Sequence, residues 1–290
     1  MLWLTMSLAA ALSAAATDTL TKRFFSDLKS FEMALIRLIY SAPILVIALL
    51  LLPRPDLDAT FWLCIATALP LELTALLCYM EAIKVSPLSL TVPFLSFTPA
   101  FIILTGYLFL DEVLSASGIL GIACIVAGSY VLNLTRAREQ WIMPFLSIFR
   151  ERGSWLMLLT SLIYAFTATL GKVGILHSSP HFFGVTYFLC LLLLMLLLFP
   201  WFSGVSARNL IARPLPGIAT GTASAAMVFS HTLAISLVEA AYMISIKRTS
   251  LLFAVVFGAI VFHETHIRER LLGAAIMMAG VLLIALSSGY

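Results

Sequence analysis

The chain has 290 residues, of which 62% are hydrophobic and only 11% are charged. Soluble domains average about 25% charged residues, so this composition excludes an ordinary soluble protein and predicts an integral membrane protein. The formal net charge of +3 gives no reason to expect a nucleic-acid partner, so the expected surroundings are a lipid bilayer.

Apolar segments long enough to cross a bilayer recur along the whole chain. A membrane-spanning helix needs about 20 apolar residues. Segments of that kind occur at about 2–21, 33–52, 61–82, 88–110, 114–134, 154–175, 182–202, 215–236, 240–262 and 270–287. They lack the alternation of an outer-membrane barrel. We therefore predict an all-α polytopic membrane protein with ten transmembrane helices.

The sequence also contains an internal repeat. At an offset of 152 residues, Ala82–Leu132 aligns with Ala234–Ile284. We therefore predict two five-helix repeats, 1–134 and 154–290, joined by a connecting loop at 135–153. Because five is an odd number, the second repeat must cross the membrane in the opposite sense to the first. Inverted repeats are typical of secondary transporters that work by alternating access, with the substrate site near the midplane.

Two hairpins, "PAFIILTGYLFLDEVLSASGILGIACIVAG" and "LLFAVVFGAIVFHETHIRERLLGAAIMMAG", resemble the paired EamA-type domains of the drug/metabolite transporter superfamily. The acidic residue before a helix with the pattern LxG…AG is the most specific part of the likeness. Lys22 and Arg37 also look like family positions. The resemblance implies ten helices, a central cavity lined by spans 1–4 and 6–9, and packing roles for spans 5 and 10. Four glycines fit those packing roles, namely Gly121, Gly128, Gly273 and Gly280.

Two adjacent cations, Lys247 and Arg248, lie roughly 10–12 Å inside the ninth span, well below the interface. Their repeat counterparts, Leu95 and Ser96, are uncharged, so a packing requirement shared by both halves does not explain them. Neighbouring residues on a helix point about 100° apart, so one cation can face the cavity while the other meets a neighbouring helix. We predict a substrate site here. The polar residues that could complete it are Tyr242, Ser245, Thr249, Ser250, Ser96 and Thr98.

The stretch "IKRTS" is similar to the Lys-Arg pair of the sugar-phosphate and triose-phosphate translocator branch of the same superfamily. That likeness implies that Lys247 and Arg248 hold an anion, although the lysine that this branch carries in its fourth span falls here on Leu95. Arginine can grip a phosphate or carboxylate with two bonds, and lysine adds a point charge. The alternative is an internal salt bridge from these cations to Glu72.

Other ionisable residues within the spans have more than one interpretation. Glu72, about half way along span 3, is a neutral acid, the partner of an internal cation, or a proton-coupling group. Arg37 is an anchor or pairs with an acid in a loop. His231 titrates near neutral pH or is hydrogen-bonded in the core. Lys22 and Lys172 are expected to extend to the membrane interface, with cavity lining as the alternative.

These features predict a multi-pass secondary transporter of the cell (plasma or inner) membrane that moves a small polar metabolite bearing a carboxylate or phosphate. An alternative is an exporter of hydrophobic or cationic compounds, in which the span-9 charges are structural. An alternative of another class is a membrane scaffold or enzyme, but Glu72, His231 and Glu239 lack the spacing of a catalytic site. We predict no enzyme activity, cofactor or metal. The substrate, direction, coupling ion and any homodimer stay open.

The charge distribution bears on orientation. Outside the deep positions, odd-numbered loops hold eleven cations and even-numbered loops hold one, Arg54. The positive-inside rule then places the odd-numbered loops in the cytoplasm and both termini outside. The family resemblance implies the opposite, with both termini inside.

Overall fold

The computed structural model describes residues 1–85, 94–134, 152–202, 205–253, 256–257 and 271–287. Within these ranges the chain is helical and contains no strand. In chain order the helices are α1 (Leu2–Phe25), α2 (Ser30–Leu51), α3 (Ala59–Val85), α4 (Thr98–Leu110), α5 (Ala116–Leu134), α6 (Arg152–Leu176), α7 (Pro180–Leu198), α8 (Pro214–Leu237), α9 (Ala240–Lys247) and α10 (Leu271–Ser287). A 3₁₀ turn at Phe199–Trp201 and a short helix at Ala207–Ile211 lie between α7 and α8.

Each predicted span therefore contains a helix, although the ends differ by a few residues and two spans are only partly described. Span 4 was predicted from residue 88, but 86–93 lie outside the described residues, as do 135–151 of the predicted connecting loop. In span 9 the regular helix α9 ends at Lys247. The chain turns at 248–249 and is helical again at 250–253.

Within the described residues, five helices are long and apolar enough to cross a membrane: α2, α3, α6, α7 and α8. Shorter apolar helices occur at Thr98–Leu110, Ala116–Val131 and Leu272–Ser287. Large apolar side chains such as Leu50, Leu197 and Leu282 face outward, which suits contact with lipid rather than water. The protein is therefore an all-helical membrane protein with several apolar spans.

The helix contacts follow the two halves of the sequence. In the two-repeat scheme each helix of the first half corresponds to the helix five places later, so that α1 corresponds to α6 and α3 to α8. α1 packs along α8, and the corresponding pair, α6 with α3, packs in the same way. α5 packs along α10, α4 meets α9, and α2 meets α7. In each of these three pairs the two helices correspond to each other in the two halves. A two-repeat architecture fits this arrangement.

The α5–α10 contact depends on glycine. A Cβ added to Gly280 would lie 2.6 Å from the carbonyl oxygen of Gly121, and one added to Gly128 would lie 2.7 Å from the backbone nitrogen of Met277. Real Cβ atoms do not approach backbone atoms so closely, so the two helices touch backbone to backbone. The glycines that the sequence pattern assigned to packing do meet one another, and neither helix contributes residues to the cavity described below.

This contact makes a clear prediction for stability. The substitution Gly280→Val should force α5 and α10 apart and lower the free energy of unfolding by at least about 2 kcal/mol, because overpacked side chains cannot be relieved against backbone. Thermal melting of the detergent-purified protein measures this effect. Ala279→Val is the matched control, since Ala279 is the neighbouring residue and is exposed. Equal melting temperatures for both variants would contradict a backbone-to-backbone contact.

Candidate functional site

A central cavity of about 300 Å³ lies between the two halves of the molecule. Its lining comes from α1, α2, α3, α4, α6, α7, α8 and α9, together with Leu95 and Ser96 just before α4. α5 and α10 contribute nothing to it. The family resemblance implied a cavity lined by spans 1–4 and 6–9, with spans 5 and 10 in packing roles, and the structure agrees with this division.

Both span-9 cations line this cavity, and they extend in different directions. The Lys247 Nζ lies 3.2 Å from Nδ1 of His231 and 3.5 Å from Sδ of Met227, both on α8. The Arg248 Nη2 donates to Oγ1 of Thr98 on α4 at 2.9 Å. Lys247 thus extends toward α8 and Arg248 toward α4. Both line the cavity, whereas the sequence left open that only one of them would face it.

The end of α9 places the two cations. The backbone N–H of Arg248 is shared between the carbonyls of Ile244 and Ser245, each at 3.1 Å, and the next N–H bonds only three residues back, to Ile246 at 2.9 Å. A tightened turn of this kind in the middle of a helix often marks a functional segment. Here it lies at the Lys-Arg pair.

The hydrogen-bonding capacity of these cations is incompletely used. An ammonium group only donates, so Nδ1 of His231 accepts from Lys247 and the imidazole is neutral. The Nε of Arg248 is buried and has no hydrogen-bond partner among the described residues. Within the described chain, no carboxylate lies within 4 Å of Lys247 or Arg248. The internal salt bridge to Glu72 considered above is therefore not formed.

Glu72 lines the same cavity on α3. Its Oε2 accepts a hydrogen bond from the Tyr187 hydroxyl at 3.4 Å, and the carboxyl also contacts the Thr167 hydroxyl. Lys247 is near enough to act on it electrostatically, but not as a hydrogen-bonded partner. The partners of the Glu72 carboxyl are thus the hydroxyl groups of Tyr187 and Thr167.

Arg37 pairs with a carboxylate on helix α1, rather than with the loop acid that the sequence suggested. Its Nη2 donates to Oδ1 of Asp18 on α1 at 2.8 Å, and its Nε donates to Oγ1 of Thr21 at 3.0 Å. The Tyr79 hydroxyl donates to the other oxygen of Asp18 at 3.2 Å. Asp18 lies four residues before Lys22 near the end of α1, so the sequence pattern alone groups it with the charged end of the span. The sequence signal that could have found it is the threonine-rich polar run "TDTLTK" inside a predicted membrane helix.

The predicted polar residues divide into two groups. Ser96, Thr98 and Ser250 line the cavity. Tyr242, Ser245 and Thr249 do not, because their hydroxyls are used elsewhere. The Tyr242 hydroxyl lies 3.2 Å from both the N–H and the Oγ of Ser115, between α4 and α5. Ser245 and Thr249 donate to backbone carbonyls of their own span, at 2.6 and 2.7 Å.

A buried clamp joins the two halves beside the cavity. Lys172, near the end of α6, pairs with Glu112, which lies between α4 and α5, and also donates to the carbonyl of Val238 at 2.6 Å. Glu112 in turn accepts from the N–H of Ala240, the first residue of α9, at 3.0 Å. Both charged side chains are about one-tenth exposed, at 11% and 10%. Lys172 does not line the cavity, and its partner Glu112 was not predicted from the sequence. That Lys172 extends to the membrane interface stays a prediction.

Two exposed pairs of polar side chains connect loops of the bundle. Oδ2 of Asp58 lies 2.7 Å from Nδ1 of His177. A hydrogen bond from the N–H of Phe61 lowers the pKa of the Asp58 carboxyl, and the neighbouring His177 lowers it further. Asp27 pairs with Arg213 at 2.8 Å, and this guanidinium lowers the pKa of Asp27. These pairs connect the bundle's loops, outside the cavity.

The sequence model of the EamA-like transporter family matches residues 1–134 and 151–286. The chain belongs to this family. A comparison with curated proteins gave no significant match. Solved structures do match, and one described only as "Crystal structure of protein" covers 97% of this chain and 97% of its own, with a TM-score of 0.69 and 12% sequence identity. At that identity the likeness shows the fold alone. The molecule is thus a membrane transporter of the drug/metabolite type, and members of its family are transporters rather than enzymes.

Proposed function

We propose that this transporter is a ten-span secondary carrier of small polar metabolites bearing a carboxylate or phosphate. In this proposal the two halves are inverted five-helix repeats that work by alternating access in the cell (plasma or inner) membrane. The observation that carries the proposal is the pair Lys247 and Arg248, which line a cavity between the halves with no carboxylate within 4 Å among the described residues.

The energetics of buried charge support an anionic substrate. A buried cation without a compensating partner is strongly unfavourable, so a site that retains two of them gains free energy when an anion enters. The Nε of Arg248 has no partner among the described residues and so still has a hydrogen to donate, while its Nη2 donates to Thr98. An oxygen of a carboxylate or phosphate accepts from such a donor with a strong, charge-assisted bond.

The cavity also limits the size of the substrate. Ligand pockets range over about 300–1,000 Å³, and this cavity lies at the lower end of that range. Tyr79, Tyr164 and Tyr187 line its wall. A metabolite with one acidic group and a short polar body suits these dimensions.

The clamp between Lys172 and Glu112 fits alternating access. In a ten-span topology, Glu112 and Val238 belong to even-numbered connections and so share one face, together with Asp58 and His177. On the opposite face the pair between Arg213 and Asp27 is exposed, at 44% and 56%. The described state is thus held by buried charge at one face, and opening that face requires the clamp to separate.

One observation favours a second candidate, the export of hydrophobic or cationic compounds. Glu72 has no cation within 4 Å among the described residues, and it lies beside Tyr187 with Tyr164 in the same cavity. A carboxyl next to aromatic rings can also receive an organic cation. In this version Lys247 and Arg248 would be structural.

A thermal-shift experiment separates the two candidates. Purified protein is melted with succinate, with glycerol 3-phosphate, and with tetraphenylphosphonium as the cationic probe. A ligand at 100 times its dissociation constant adds about 2.7 kcal/mol to stability. We expect stabilisation by at least one anion, followed by its saturable flux into proteoliposomes. Stabilisation by the cation alone would overturn the proposal in favour of the second candidate, and stabilisation without flux would favour a binding protein over a carrier.

A further inference from the structure

The network of Asp18, Arg37 and Tyr79 lies in the wall of the same cavity, but the anion site proposed above does not use it. The Asp18 side chain is 41% exposed, whereas Arg37 is only 13% exposed. The guanidinium is also fixed by Thr21, which is completely buried. Arg37 is therefore held in place, and the carboxylate in front of it is the more accessible partner.

Arg37 and Arg248 both line this cavity of about 300 Å³. An anion that occupies a cavity of this size comes near both guanidinium groups. Asp18 already makes the contact that such an anion would make, with its Oδ1 2.8 Å from Nη2 of Arg37. The carboxylate of Asp18 and an anionic substrate are competitors for one cation.

We propose that Asp18 couples proton uptake to anion binding: the substrate displaces the Asp18 carboxylate from Arg37, and the freed carboxylate takes up one proton from solution. This inference rests on the proposed function. The only covalent bond formed is the O–H bond of Asp18, with a proton from solution, and no covalent bond of the substrate is broken. An anion and a proton enter together, so the proton offsets one negative charge of the substrate.

The surroundings of Asp18 define what else could respond to the proton. Arg37 on α2 and Tyr79 on α3 contact the carboxylate directly. The charges of Lys247 and Arg248 on α9 act on it across the cavity. α8, which packs along α1, contributes His231 to the cavity. His231 is occupied as an acceptor for Lys247, so it is not free to receive the displaced proton.

Glu72 lacks the feature that this mechanism needs. It makes no ion pair within 4 Å among the described residues, so a substrate anion has no bond to Glu72 to break. Its hydrogen bonds come from the hydroxyls of Tyr187 and Thr167, which an anion does not have to displace. Of the two carboxyl groups in the cavity, Asp18 is the one that competes with the substrate.

Isothermal titration calorimetry tests this directly. The wild-type protein is titrated with succinate and with glycerol 3-phosphate in two buffers of different ionisation enthalpy, which counts the protons bound per anion. We expect about one proton per anion, and an affinity that rises by up to about tenfold for each unit of pH decrease over the range in which binding takes up that proton. In Asp18→Asn the proton count should fall to zero. Its affinity should no longer depend on pH and should match the wild-type affinity at low pH, because the competing charge is gone.

Two further variants sharpen the result. Glu72→Gln should retain the proton uptake, and Asp18→Glu should retain it with a shifted pH range even if Asp18→Asn does not fold. Anion binding to the wild type without proton uptake would overturn the inference and leave the proposed function intact. So would proton uptake that survives in Asp18→Asn, or weaker binding in that variant, as expected of a purely structural pair. Failure of the wild type to bind either anion would overturn the proposed function and this inference with it.

Discussion

Replacing both cavity cations, in the variant Lys247→Gln with Arg248→Gln, is expected to weaken anion binding by at least about 100-fold. A hydrogen bond to a charged group contributes about 1.5–3 kcal/mol, and each 1.4 kcal/mol corresponds to a factor of ten in affinity. Two such groups act on one ligand, and glutamine retains a polar side chain without the charge. Titration calorimetry with the anion that stabilises the wild type measures the affinity. Flux into proteoliposomes should fall to the background of empty vesicles.

The control for this variant changes the same number of charges elsewhere. Arg54 and Arg208 are exposed and lie outside the cavity. The double substitution Arg54→Gln with Arg208→Gln removes two positive charges from the protein and should leave binding and flux as in the wild type. Equal effects from the two double variants would show that overall charge is responsible. Unchanged flux in Lys247→Gln with Arg248→Gln would assign those residues a structural role.

Breaking the clamp with Lys172→Met is expected to lower the free energy of unfolding by about 3–5 kcal/mol. Removing one partner of a buried ion pair leaves the other charge buried and uncompensated. Here Glu112 would retain only its hydrogen bond from Ala240. Adding Glu112→Gln removes that charge, and the double variant should recover part of the loss. A double-mutant cycle from thermal melting should give an interaction energy of about 1–3 kcal/mol.

The exposed pair of Arg213 and Asp27 provides the matched cycle. Both side chains are roughly half exposed, so the interaction energy should be about 1 kcal/mol or less. If the two cycles give equal interaction energies, burial does not strengthen the interaction between Lys172 and Glu112. If Lys172→Met also raises the transport rate, then separation of the clamp limits the transport cycle, since weakening it favours the state in which that face is open.

The positions of the helices could be predicted because the hydrophobic pattern and the repeat are strong signals. The packing role of these glycines was also expected, since Gly121 and Gly128, like Gly273 and Gly280, are seven residues apart and share a helix face. The direct contact of Gly121 with Gly280 was not predicted. The detail of α9 could not be predicted. Its regular helix ends at Lys247 because the next backbone N–H groups bond at shorter spacing, and no proline or glycine in the sequence marks that change.

Some residues of the candidate site could likewise be predicted from the sequence, and others could not. Lys247 and Arg248 could be identified because the aligned half has no charge there. Tyr242 could not be assigned correctly, because its direction depends on Ser115, which lies far away in sequence and close in space. Asp18 was missed because its importance comes from the approach of α1 to α2, which brings Arg37 within 2.8 Å. Pairwise contacts between helices are not encoded in the periodicity of either helix.

The reach of Lys247 to α8 and of Arg248 to α4 also bears on how the protein enters the bilayer during synthesis. A cation at the bilayer centre costs about 2.5–3.5 kcal/mol on insertion scales, so a segment carrying two of them inserts poorly in isolation. The groups that receive these cations, Thr98 and His231, both precede them in the chain. Ribosomal order thus delivers the acceptors before the cations, and the ninth segment is best inserted late, into a partly assembled bundle.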